Sequence, residues 1–309
     1  MPAHIDALVH MSLTAAEDHD GVLSRALLRA IGVDDRMIRR EVARGRWALA
    51  GRQTVALHTG GLSDLAHRWR AVWEVGVQVA ALDGVSSLQA AGITGFTDDR
   101  LHVSVRHTTN VEPVEGVTHH KVIRRVPDEL VRAGVPRTRP AVAAIRAAHW
   151  AVSDRQAALL LVMPVQQRLV RGDQLIAAQG VVRGRTRRRL IRLLVADIAD
   201  GAHSLGELDF VHACRLRGLP EPSHQVVRRG RGGKYYLDIR WDRARLTVEV
   251  DGTGHVHGLT QMTDDLRQNE IVLGQDLVLR VGLIGWRLHP EAYLEQVVWA
   301  YWSRVESAA

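Results

Sequence analysis

A single cysteine, Cys214, stands in the chain, which excludes an intrachain disulfide and any cysteine-based zinc site. One unpaired thiol fits a reducing compartment. Lysine is nearly missing: of the 41 basic side chains only Lys121 and Lys234 are lysines, so the positive charge rests on guanidinium forks, whose geometry suits phosphate and carboxylate bidentately. Long apolar runs are also missing. The longest, Ala157 to Val165, falls far short of the roughly 20 residues that a membrane-spanning helix needs. The opening MPAHIDALVH lacks a basic start followed by an apolar core, so no secretory signal is read there. These absences lead to the expectation of a cytoplasmic protein with no membrane partner. No internal repeat or low-complexity segment occurs.

What is present is the balance of a folded globular protein, 46% hydrophobic and 24% charged. At 309 residues the chain is long for one ordinary domain, and two or more are expected. The net charge of +7 makes a polyanion the first partner to consider, against the alternative of a generally basic, solvated surface.

From Gly21 to Leu57 the pattern is helix-turn-helix grammar. Ser24 can cap a helix over Arg25–Ile31, Gly32 can stop it, and Asp34 can cap a second helix with Ile38 and Val42 on its inner side. Trp47–Leu49 and Thr54–Leu57 flank Ala50-Gly51-Arg52-Gln53, the right connection for a small hairpin wing. On the second helix Arg36, Arg40 and Arg44 recur every four residues, with Arg39 adjacent. Such a stripe suits phosphate contact or guanine readout, or else is a solvated face in an arginine-rich protein.

Beyond it, His67–Val79 reads as a helix, Leu101–Val105 and Val117–Ile123 as strands, Pro140 as a helix start, and Ser153 as the cap of a further helix. The run RGRTRRRLIR, residues 183–192, holds six arginines, and Leu190, Leu193, Leu194 and Ile198 in and after it keep helical spacing. One face is therefore buried and the remainder strongly positive.

The most informative stretch is YYLDIRWDRARLTVEVDGTGH, residues 235–255, where two alternating runs flank Asp242-Arg243-Ala244-Arg245. Pairing Trp241 with Leu246 sets Ile239 opposite Val248 and Leu237 opposite Val250, three apolar pairs on one face. The other face then carries Arg240 opposite Thr247, Asp238 opposite Glu249, and Tyr236 opposite Asp251. Two carboxylates about 5 Å apart repel by about 3 kcal/mol at an effective dielectric near 20, a cost that folding alone gives no reason to bear. A divalent cation between them reverses the sign, and oxygen ligands on adjacent strands suit Mg²⁺ or Mn²⁺. The competing reading is a solvated face on which the acids pair with Arg240, Arg243 or Arg245.

Asp238 followed after ten residues by Glu249-Val250-Asp251 is similar to the PD-(D/E)xK nuclease pattern. The fuller string RLTVEVDGTGH, with SLGELDF (204–210), GLPEPSHQV (218–226) and DDLRQNEIVLGQDLVLRV (264–281), resembles uncharacterised bacterial proteins related to very-short-patch-repair endonucleases. That resemblance implies a restriction-endonuclease-like α/β domain with Asp238 and Glu249 as metal ligands and Glu207 completing the site. Ser204-Leu205-Gly206-Glu207 equally fits a capping box. The pattern's lysine is replaced by Asp251, so the usual helper of the attacking water is missing; the resemblance implies that His255 or His257 relays a proton or contacts phosphate, the alternative being an incidental pair of loop histidines. Arg267 and Asp264 are implied to support the site or a phosphate, unless they belong to an exposed, ion-paired helix surface.

GVLSRALLRAIGVDDRMIRREVARGRW with its wing resembles the N-terminal domain of AbiEi-family antitoxins of type IV toxin–antitoxin systems. SSLQAAGITG (86–95) and LHVSVRH (101–107) resemble the opening of that family's second domain. A cognate toxin is not implied. The expectation is thus a mixed α/β multi-domain chain: a winged helix-turn-helix DNA-binding domain over 1–62, an α+β middle domain over 63–180, an Arg-rich linker helix over 181–200, and an endonuclease-like domain over 201–309. The expected function is DNA binding joined to Mg²⁺-dependent phosphodiester hydrolysis. The alternative is a DNA-binding regulator whose nuclease fold is degenerate.

Overall fold

The computed structural model describes residues 2–76, 78–200, 206–229, 235–251 and 277–307. The side chains of residues 2–4, 200, 206–209, 224–229, 235–238 and 251 are not among those described. The chain is mixed α/β and divides into two compact units, Met1–Arg139 and Pro140–Ala309.

In the first unit, helix α1 (Pro2–Ala16) leads through a short turn into strand β1 (Val22–Ser24). Ser24 accepts a hydrogen bond from the Leu27 amide and caps α2 (Arg25–Ile31). Gly32 ends α2 at φ +100°, a left-handed conformation that a side chain would strain. Asp34 accepts from the Met37 amide at 2.7 Å and caps α3 (Asp35–Ala43). A hairpin follows, β2 (Ala48–Leu49) and β3 (Thr54–Ala56), and β1 pairs with the far side of β3. These elements close on Leu23, Leu28, Val33, Ile38, Trp47 and Val55, with Ile5, Leu8 and Val9 of α1 packed against them.

The hairpin turn is held by the next helix, α4 (Asp64–Val75). Its Glu74 accepts from the amides of Arg52 and Gln53, both at 2.9 Å, and from Thr54 Oγ1 at 2.7 Å. Residue 51 has to be glycine for that grip, because a Cβ there would lie 2.3 Å from Glu74 Oε1. The rest of the unit is a mixed five-stranded sheet, built from β4 (Ala81–Leu82), β5 (Leu101–Arg106), β6 (Val117–Val122), β7 (Leu130–Val131) and β8 (Arg137–Thr138), with α5 (Gly84–Ala90) between β4 and β5. The strand order is β6-β5-β4-β8-β7. Trp69, Val72, Leu82, Val103, Val105 and Val117 form its core.

The second unit opens with four helices, α6 (Pro140–Trp150), α7 (Asp154–Gln166), α8 (Gly172–Val181) and α9 (Arg188–Asp200). Ile145, Leu160, Leu161, Leu194 and Val195 are buried among them. Gly172 lets α8 approach α9, since a Cβ there would come within 2.7 Å of Ala199 Cα. After α10 (Gly206–Leu216) comes a four-stranded sheet of β9 (His224–Arg229), β10 (Tyr235–Trp241), β11 (Leu246–Asp251) and β12 (Leu277–Gly282). The order is β12-β11-β10-β9; β12 runs parallel to β11, and the other pairings are antiparallel. Helices α11 (Leu283–Leu288) and α12 (Pro290–Ser307) complete the unit.

The β10/β11 register is the one that apolar pairing predicts: Trp241 opposite Leu246, Ile239 opposite Val248, and Leu237 opposite Val250. Ile239, Trp241, Leu246, Val248 and Val250 are buried. Each such side chain contributes about 1.5–3 kcal/mol, so a one-residue slip that turned them outward would be prohibitive. Trp241 is fixed further by donating from Nε1 to the Pro220 carbonyl at 2.8 Å and by edge contact with Tyr301 of α12, ring centroids 6.4 Å apart. A buried bidentate ion pair, Arg287 Nε to Asp197 Oδ2 at 2.8 Å and Nη2 to Oδ1 at 3.2 Å, ties α11 to α9. Among the described residues no helix is long and apolar enough to cross a membrane.

Candidate functional site

Two places carry the residues that the sequence singles out. The first is the outer side of α3. Met37 and Ile38 are buried while Arg36, Arg39 and Arg44 are exposed and Arg40 is half-buried. The expected stripe is divided by Glu41, whose side chain is wholly buried. Its Oε1 accepts from Arg40 Nε at 3.1 Å and Nη2 at 3.0 Å and lies 3.7 Å from Arg44 Nη1, while Arg46 lies against Oε2. Arg36 and Arg39 have no hydrogen bond or ion pair among the described residues and project as free donors. Arg25 locks this surface to the hairpin: Nη1 donates to Asp35 Oδ1 at 2.6 Å and Nε to the Arg52 carbonyl at 2.8 Å. That guanidinium holds the Asp35 carboxyl below the usual carboxylate range.

The second place is the face of the second unit's sheet that carries Glu249 and Arg280. Asp238 stands directly opposite Glu249, and Tyr236 opposite Asp251, as the alternating pattern predicts. Glu249 itself faces Arg280 in the parallel pairing with β12, and Arg280 Nε lies 3.3 Å from Glu249 Oε2. The Glu249 carboxylate is about a third exposed, 34%, and Arg280 half exposed, 51%. Arg240 donates to Asp242 Oδ1 at 2.8 Å and to Thr247 Oγ1 at 3.1 Å. The side chains of Glu207, Asp238 and Asp251 are not among those described, and His255, His257, Asp264 and Arg267 lie outside the described residues. Among the described residues no group of three or more histidine, cysteine or carboxylate side chains is gathered as for a metal.

Reasoning from sequence missed Arg280, because the residue that meets Glu249 lies 31 positions on and is brought there by parallel pairing. It also missed Glu41, Arg25 and Glu74, the groups that fix α3 and the hairpin. Glu41 carried a signal: a carboxylate among Arg39, Arg40, Arg44 and Arg46, next to the apolar Val42. A third cluster lies in the first unit, where His102 Nδ1 and His120 Nε2 are 2.8 Å apart and His102 Nε2 lies 3.2 Å from Asp98 Oδ2. Burial, with the charges of His102 and His119, pushes His120 down to about 3.

No family model matches the chain. No curated protein matches it either. Among solved structures it is similar to the RV2827C protein from Mycobacterium tuberculosis, at 15% identity over 62% of this chain and 75% of that one, with a TM-score of 0.40.

Proposed function

We propose that the chain is a DNA-binding protein carrying a Mg²⁺- or Mn²⁺-dependent endonuclease-like domain that hydrolyses phosphodiester bonds. The observation that carries this reading is the β10/β11 register, with Asp238 opposite Glu249 on a sheet whose other face is packed with apolar side chains. Directly opposed carboxylates are a poor choice for folding and a good one for holding a hard cation. The donor chemistry fits: Asp238, Glu249 and Glu207 would hold the ion, which supplies positive charge beside the phosphodiester and acidifies a bound water. His255 and His257 are the proposed proton carriers where Asp251 replaces the pattern's lysine. Arg267 is the proposed phosphate contact.

Delivery to DNA falls to residues 1–62, which we read as a winged helix-turn-helix of the AbiEi-antitoxin kind. Capped α2 and α3, a three-stranded wing sheet, and the free guanidiniums of Arg36 and Arg39 support that reading. Arg40 and Arg44 contribute charge to the same surface while braced on Glu41.

One observation favours a second reading. Arg280 already neutralises Glu249 across the sheet, as it would in a non-catalytic DNA-binding regulator whose nuclease fold has lost its metal. Incubating the purified protein with labelled duplex, nicked, mismatched and single-stranded DNA, in Mg²⁺, Mn²⁺ or EDTA, separates the two. Metal-dependent cleavage that is absent from D238N/E249Q supports the enzyme. Retained binding with no cleavage in any metal supports the regulator.

A further inference from the structure

The segment 183–192 is absorbed by neither proposed site. It holds six arginines and no acid. Arg183, Arg185, Arg188, Arg189 and Arg192 are all exposed. A loose basic tail would need no structure, yet this run is built into the fold. His149 Nδ1 bonds the Thr186 carbonyl at 2.5 Å, and Gly184 is seated against the same ring, where a Cβ would fall 2.3 Å from His149 Cδ2. Arg187 adopts a left-handed φ of +57°, unusual for a residue with a side chain. It is held there by Nε to Asp154 Oδ1 and Nη1 to the Ala151 carbonyl, both at 2.7 Å. Arg188 Nε donates back to the Gly184 carbonyl at 2.6 Å, and α9 begins.

These anchors fix the backbone while leaving Arg183, Arg185, Arg189 and Arg192 with no hydrogen bond or ion pair among the described residues. Among the described side chains, Asp154 is engaged by Arg187, Asp173 by Arg171, and Asp197 by Arg287. Ile191, Leu194, Val195 and Ile198 turn the other side of α9 into the core, so the helix cannot rotate to bring an acid outward. An ordered array of uncompensated guanidiniums is self-repelling and does nothing for folding; a polyanion relieves it. No aromatic residue lies in the run to stack an unpaired base, which points to phosphate backbone and not to single strands.

We propose that Arg183, Arg185, Arg189 and Arg192, with Arg188, form a sequence-independent binding surface for duplex DNA on the second unit, additional to α3. It grips phosphates whether or not the sheet binds a metal and whether or not α3 reads DNA. The test uses the full chain and fluorescence anisotropy with two labelled duplexes of unrelated sequence, across a salt series. Each phosphate contact contributes about 0.9 to the slope of log affinity against log salt. R183Q/R185Q/R189Q/R192Q should flatten that slope by about three to four units, equally for both duplexes. The corresponding arginine-to-lysine variant should keep most of it. R36Q/R39Q should remove about two further units independently, so failure at α3 and failure here are distinguishable. The four changes should leave the melting temperature in place, because exposed, unpaired positions contribute little to stability. Should the quadruple variant not fold, Arg189→Gln and Arg192→Gln singly should each take about one unit from the slope. An unchanged slope in the glutamine variants overturns the proposal. So does a loss confined to duplex RNA or to anionic vesicles while DNA affinity is retained.

Discussion

Glu41 in the first unit and Glu249 in the second are both glutamates beside arginine, yet their surroundings differ in a way that separates architecture from chemistry. Glu41 is wholly buried and meets Arg40, Arg44 and Arg46, which arrive from one helix and its exit. Its own backbone carbonyl also takes the amides of Arg46 and Trp47, so the residue organises the passage from α3 into the hairpin. Glu249 is a third exposed, meets one arginine at 3.3 Å, and stands opposite another carboxylate residue, Asp238. A buried charge needs full compensation to be tolerated. A carboxylate a third exposed with a single arginine partner among the described residues is not bound by that requirement.

The comparison breaks most easily at Glu41. Glu41→Gln should lower the stability of the folded protein by about 2–4 kcal/mol, below the upper end for breaking a buried pair because its arginine partners are partly in water. Chemical denaturation reads it, and a change under about 0.5 kcal/mol would mean the cluster is not structural. A pH-dependent effect, absent at neutral pH, is expected from His120, which is half-buried and stacked against His102. Its folded value is about 3 against an ordinary 6.5, so the unfolded chain takes up a proton that the folded one refuses. The His120 contribution should therefore be constant above about pH 6.5 and turn destabilising as pH drops from there toward 3. His120→Gln should flatten that part of the melting-temperature profile; a profile as steep as wild type contradicts the burial argument. Arg280→Gln should change stability least, by no more than about 1 kcal/mol, since the pair is exposed. It should strengthen any response to Mg²⁺ by removing the competitor for Glu249; a weakened response would make Arg280 part of the binding site.

Local chemistry was legible in the sequence. Ser24, Gly32, Asp34 and Ser153 cap or stop the helices that they were read to cap or stop, because a cap needs only neighbours within three or four residues. The hairpin register followed from three apolar pairs that no other alignment preserves. Helix α4 was misplaced: read as His67–Val79, it runs Asp64–Val75, because Ser63 caps it earlier and Gly76 ends it sooner. The arginine helix, read over 181–200, begins only at Arg188, midway through the run, since Gly184 and the left-handed Arg187 form a turn first. Strands of two residues, β4, β7 and β8, are too short to show a period. What could not be read was pairing across distance: Glu74 to the hairpin turn, Arg25 to Asp35 and Arg52, and Arg280 to Glu249.

A metal site at Asp238 and Glu249 is tested by the melting temperature of the protein with and without millimolar Mg²⁺ or Mn²⁺, beside the D238N/E249Q variant. A ligand that binds only the folded state raises the melting temperature by mass action, and relief of carboxylate repulsion would be the source of that binding. Wild type should shift upward with metal. The variant should melt at least as high as wild type in EDTA, gain nothing from metal, and lack nuclease activity. No metal-dependent shift in wild type, or an equal shift in the variant, would contradict a metal site at these carboxylates and favour the regulator reading over the enzyme.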